Sequence, residues 1–82
     1  MATLPGKLNR ITVEPGKMGG KPCIRGLRVT VGTVLSMLAG GSSPSDVLEH
    51  YPYLEDEDIQ QCLAYAAYLA SEGYVPFSEE AA

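Results

Sequence analysis

Between Thr30 and Gly73 the sequence carries three apolar runs of helical period, each with its own start and stop signals. In the first, Thr30 stands where an N-cap belongs. Val31, Val34, Leu35 and Leu38 then recur at i, i+3, i+4 and i+7, and Gly40-Gly41 follows as a C-terminal stop. In the second, Ser43 is the cap, Pro44 occupies the first turn and Asp46 the third helical position. Val47, Leu48 and Tyr51 form its buried side, and Pro52 ends it. The third and longest run is predicted over roughly Asp56 to Glu72, opened by Asp56, Glu57 and Asp58 and closed by Gly73. Ile59, Cys62, Leu63, Ala66, Leu69 and Ala70 trace its expected core face, with Tyr65 and Tyr68 off that stripe, in line with Asp58, Gln61 and Glu72.

Residues 1–9 read as a loose arm, because Pro5-Gly6 discourages regular structure. "RITVE" alternates apolar and polar residues as a short strand does. "CIRGLRVTV" is a second strand-like run, interrupted by Gly26, and the Gly-rich stretch "GKMGGKP" separates them. The expected architecture is therefore mostly α: a three-helix bundle of helix-turn-helix type with a short N-terminal β element, spanning residues 10–73, followed by a tail over 74–82. With 82 residues, 45% apolar and 20% charged, the chain suffices for one small domain. A core that small is marginal alone, so a homodimer is expected. The strands offer unpaired edges for it, and Ile11, Val13 and Ile24 are the residues expected near the contact.

Several function classes find little support. No apolar run approaches the length of a membrane span, and the N-terminus has no secretory core, so a cytoplasmic protein is expected. Cys23 and Cys62 lack metal-ligand spacing, and with His50 as the single histidine they cannot complete a standard structural zinc site without another ligand type or a second chain; no metal or cofactor is expected. "GKMGGKP" is one residue too short for a phosphate-binding loop and has Pro22 where Ser or Thr should follow the lysine. Glu55 to Asp58 are consecutive, so they point in different directions around a helix start. No nucleophile–base pair is present, and the chain is not expected to be an enzyme.

The charge distribution is informative. All six cations (Lys7, Arg10, Lys17, Lys21, Arg25 and Arg28) lie at or before position 28, opposed only by Glu14, for a segment charge of +5. The remainder has nine acids and no cation, for −9. Such a split suggests a basic face for one partner and an acidic face for another. Recognition helices ordinarily bring Arg, Lys, Asn or Gln to base edges. The third helix here has an acidic start, and only Gln60 and Gln61 could read bases. The expected DNA contacts are therefore Arg10, Lys17, Lys21, Arg25 and Arg28 on phosphates, with Arg25 and Arg28 foremost, and Gln60 and Gln61 as the test of base reading.

The segment "GGKPCIRGLRVTV", continuing through "VLSMLAGG" and "LEHYPYLEDEDIQQCLAYAA", resembles domain-of-unknown-function family 433 over roughly residues 10 to 70. The resemblance implies a tri-helical, homeodomain-like fold preceded by a short β element. It also implies a VapB-like antitoxin that represses its own operon and whose partner is a PIN-like ribonuclease toxin. A Thr or Ser usually caps the third helix in this family; Glu55 in that place is expected to weaken the helix start by ~1 kcal/mol. Against such a toxin, Tyr65, Tyr68, Tyr74 and Phe77 are the expected anchors, with Glu79 and Glu80 meeting basic groups on the RNA-binding surface. The competing reading is a protein-only interaction module whose helix-turn-helix fold binds no DNA.

Overall fold

The computed structural model describes residues 2–3 and 8–71. Three short strands, β1 (Ala2–Thr3), β2 (Ile11–Val13) and β3 (Cys23–Ile24), form an antiparallel sheet in the order β1-β2-β3. Three helices follow: α1 (Val31–Ala39), α2 (Pro44–His50) and α3 (Asp56–Ser71). The expected hairpin is present, with Ile11 opposite Ile24 and Thr12 opposite Cys23. The domain begins earlier than the sequence suggests. Ala2–Thr3 pair with Val13 and Thr12, and Leu8 is buried, so residues 8 and 9 belong to the domain and not to an arm.

Local chemistry accounts for the helix boundaries. The Thr30 hydroxyl accepts from the Thr33 N–H at 3.1 Å. Ser43 and Asp46 form both halves of a capping box, at 3.1 and 2.9 Å. After α1, the N–H of Ser42 reaches the carbonyl of Met37 and that of Gly41 reaches Leu38. This is a Schellman stop, and it requires the positive φ of 106° that Gly41 supplies. Gly26 has a similar role. Arg25 and Gly26 lie at φ 48° and 71° in a tight turn closed by Leu27 N–H to Ile24 O at 2.7 Å. β3 therefore stops at Ile24, and the chain doubles back so that Cys23 bridges Thr30.

The core gathers Leu8, Ile11, Ile24, Val29, Val31, Val34, Val47, Leu54, Ile59 and Cys62. Ile11 and Ile24 are completely buried within one chain. Their side chains are therefore committed to this chain's own core, and of the three residues expected near a dimer contact only Val13, which is half-buried, keeps side-chain surface. The stripe on α3 is also corrected. Asp58 and Gln61, placed off the core by the sequence pattern, are buried, whereas Leu63, Leu69 and Ala70 of the expected core face are exposed. The reason is length: α1 has nine residues and α2 seven, against sixteen in α3. At 1.5 Å of rise per residue, the shorter helices cover only about the first two turns of the longer one. Past Cys62, α3 runs on with little of the bundle beside it.

Candidate functional site

The first turn of α3 is built around one carboxylate. Asp58 has no exposed surface and accepts four hydrogen bonds. Arg25 grips it with two, Nε to Oδ1 at 3.0 Å and a terminal nitrogen to Oδ2 at 2.8 Å. Arg10 reaches Oδ1 at 3.0 Å, and the Glu55 N–H reaches Oδ2 at 2.8 Å. The last of these is the reciprocal half of a capping box, so the helix start that lacks a Ser or Thr at position 55 is capped from position 58. Leu54 and Ile59, both buried in the same cluster, occupy the staple positions around it. Arg10 also pairs with Glu55 at 2.7 Å.

Burial works to raise the pKa of Asp58. Hydrogen bonds from Arg25, the Glu55 backbone and Arg10 outweigh it and hold the carboxyl below its ordinary value. The same bonds push both guanidinium groups up: Glu55 first and then Asp58 for Arg10, and Asp58 for Arg25. A carboxyl with a depressed folded-state pKa stabilises fully above its unfolded value of about 3.9, and that contribution fades as pH falls through the folded value. Urea denaturation should therefore show stability nearly flat with respect to this group between neutrality and about pH 5, then falling below about pH 4. The Cys62 thiol is pushed up to about 12 by burial and by the Asp58 charge, and a thiol so protonated is a poor nucleophile.

This network redefines the charge map. Arg10 and Arg25, assigned to phosphates by their place in the basic segment, are engaged by the acidic start of α3. Lys17 pairs with Glu14 at 3.2 Å and donates to the carbonyl of Gly26. Lys21 and Arg28 are exposed, with no side-chain hydrogen bond or ion pair among the described residues. Gln61 is not placed to read a base. It is buried, its Oε1 accepts the Arg10 N–H at 2.8 Å, and its Nε2 donates to Asn9 at 2.9 Å. Gln60 is exposed. Gln61→Ala should lower stability by about 1 kcal/mol in chemical denaturation, because it takes the acceptor from the partly buried Arg10 N–H. Gln60→Ala should change it by less than about 0.5 kcal/mol.

Among the described residues, one strip of α3 combines aromatic and polar surface that a partner could use. Glu57, Gln61, Tyr65 and Tyr68 follow one another at i, i+4, i+8 and i+11, which places them on one side of the helix. At its N-terminal end the strip borders an open cleft of about 490 Å³ lined by Asn9, Arg10, Glu57 and Gln61. At the other end Tyr65 and Tyr68 stack, with ring centroids 6.5 Å apart and planes 28° apart. Tyr65 is half-buried against the core and Tyr68 is exposed, so one ring props the other. Tyr74, Phe77, Glu79 and Glu80, the other expected partner contacts, lie outside the described residues. Among the described residues no group of His, Cys, Asp and Glu is placed to hold a metal, and no helix is long and apolar enough to cross a membrane.

A short β element leading into three helices defines the class of domain. The chain belongs to the family described as Protein of unknown function (DUF433), which matches residues 11–66. It is similar to the uncharacterized protein y4eO of Sinorhizobium fredii, with 39% identity over 56 residues; the match covers 68% of this chain and 25% of that protein. It is also similar to a crystal structure of a DUF433 member from Anabaena variabilis, with 31% identity and a TM-score of 0.69 over 79% of this chain and 62% of that one. The chain thus spans a quarter of the one relative and less than two thirds of the other. Arg25 and Asp58 lie inside the family match, and Tyr68 lies beyond it.

Proposed function

We propose that this chain is a protein-binding module and not an enzyme: the antitoxin of a toxin–antitoxin pair, holding a PIN-like ribonuclease on the α3 strip. The single observation that carries this reading is the stacked Tyr65–Tyr68 pair beside the open polar cleft. A ring fixed by a neighbour loses little entropy on docking and offers a large apolar face with a polar tip, the chemistry enriched at interface centres. The cleft next to it holds a partly exposed guanidinium and an exposed carboxylate, which suit a mixed polar rim. The antitoxin role itself rests on the family resemblance.

Operator binding is the second reading, favoured by the exposed Lys21 and Arg28. Two phosphate contacts would give a log–log salt slope of only about −2. A slope of −5 or steeper would need more cations than these two, and would return Arg10 and Arg25 to the DNA.

Co-expression with the product of each gene that adjoins this one tests the main reading, on which one of them is a toxic PIN-like ribonuclease. The wild-type chain should co-purify with that enzyme and restore growth, and Tyr68→Asp should do neither while melting normally. If Tyr68→Asp neutralises as well as wild type, the α3 strip is not the docking surface. If no neighbouring product is toxic, the antitoxin assignment fails and the protein-only module stands.

A further inference from the structure

The cleft at the head of the α3 strip has a fixed floor. Gln61 is only 6% exposed and is held from two sides, its Oε1 by the Arg10 N–H at 2.8 Å and its Nε2 on the Asn9 Oδ1 at 2.9 Å. Glu57 stands beside it, exposed, and meets the Gln61 Nε2 only at 3.5 Å. No cation pairs with Glu57 among the described residues. The residues lining the cleft are therefore rich in acceptors: both carboxylate oxygens of Glu57, and a second lone pair on Asn9 Oδ1 and on Gln61 Oε1. Charge has the same sign. Glu55, Asp56, Glu57 and Asp58 are four carboxylates against the two guanidinium groups of Arg10 and Arg25, which leaves −2. The positive end of α3 offsets only about half a charge. Arg10 also lines the cleft, but its Nη1 is spent on Glu55 and Asp58, so its charge is already matched.

We infer that this cleft receives one arginine side chain of a partner protein, its guanidinium spanning Glu57 and the Asn9 and Gln61 oxygens. The inference rests on the α3 strip being the docking surface and gives the partner its chemistry there. It does not require that the partner be a ribonuclease. A planar fork of five donors suits acceptors spread over three side chains better than the compact ammonium of lysine. Phosphate groups and carboxylates are repelled by the uncompensated acids, so neither an RNA backbone nor an acidic segment fits. The volume of about 490 Å³ lies in the range that takes a small ligand. Tyr65 and Tyr68 lie 8 and 11 residues beyond Glu57, about 12 to 16 Å along the helix. The partner's arginine therefore stands about that far from the apolar group that meets the stacked rings.

NMR on the full chain, labelled with nitrogen-15, tests this without any partner protein. The probes are N-acetyl-arginine methylamide, its neutral isostere N-acetyl-citrulline methylamide, and inorganic phosphate, all at matched ionic strength. The arginine probe should shift the side-chain amide signals of Asn9 and Gln61 saturably, with a Kd of roughly millimolar order, as its size allows. The citrulline probe should bind at least fivefold more weakly, and phosphate should leave both signals in place. Glu57→Gln should weaken the arginine probe at least fivefold and leave the melting curve unchanged, because Glu57 is exposed. Equal binding of citrulline, a Glu57→Gln chain that binds as wild type does, or shifts caused by phosphate and not by arginine would each overturn the inference. Its failure is distinct from failure of the docking surface: a partner whose capture is lost in Tyr68→Asp but kept in Glu57→Gln leaves the strip standing and removes the arginine.

Discussion

Replacing Asp58 with Ala is expected to remove about 3–5 kcal/mol of stability, the cost of breaking a buried ion pair from one side. For a chain this small that is a large share of the ~5–15 kcal/mol that holds typical domains folded. Three things are lost together. The two guanidinium groups lose the carboxylate they share, the Glu55 N–H loses its cap, and a cavity opens at a site with no exposure. Urea denaturation at pH 7 should show a midpoint shifted far down, and at 37 °C far-UV dichroism should show a substantially unfolded chain. Asp58→Asn keeps the shape and one acceptor, and should fall between the two. If Asp58→Ala costs less than about 1 kcal/mol, the network is not holding the hairpin to α3.

The second large effect separates two arginines that stand three residues apart in one basic run. Arg25→Ala should cost about 2–3 kcal/mol, below the full figure for a buried pair because a third of the side chain meets solvent and Arg10 still holds the carboxylate. Arg28→Ala, exposed and without a partner among the described residues, should change stability by less than about 0.5 kcal/mol. Lys at position 25 should rescue poorly, since a single ammonium cannot make the two parallel bonds to Asp58 while also reaching the Tyr53 carbonyl as Arg25 does at 2.9 Å. Chemical denaturation of the single and double variants of Arg25 and Asp58 gives the coupling directly. Additive losses would mean that the clasp contributes nothing as a pair.

What the sequence showed and what it hid divide along range of interaction. Thr30, Ser43 with Asp46, and Gly41 announce their helix boundaries because a cap is satisfied within three or four residues, and all three perform as their positions require. The clasp was hidden because Arg25 and Asp58 are 33 positions apart, and a segment-wise charge map assigned each to a different partner. A signal did exist. Asp58, Gln61 and Tyr65 recur at i, i+3 and i+7 beside the apolar stripe, so a carboxylate and an amide border the core where each needs a partner. The coverage of α3 was hidden for another reason. Periodicity states which face is apolar and says nothing about how long the neighbouring helices are, so Leu63 and Leu69 read as core like Ile59. The candidate strip was half legible: Tyr65 and Tyr68 stood out by falling off the apolar stripe. The cleft beside them depends on Asn9 and Arg10, brought there by the fold.

The clasp also fixes the smallest piece of this protein that can be moved elsewhere. A three-helix segment starting at Thr30 would resemble a self-sufficient DNA-binding unit and would include every cap that α1 and α2 need. It would also carry Asp58 without either of its cations, because Arg10 and Arg25 are both left behind. Grafted or expressed alone, such a fragment exposes or protonates that carboxylate and frays the start of α3. The slowest-exchanging amides of α3 should accordingly exchange together with those of β2 and β3, as one cooperative unit in which hairpin and helices open at the same free energy.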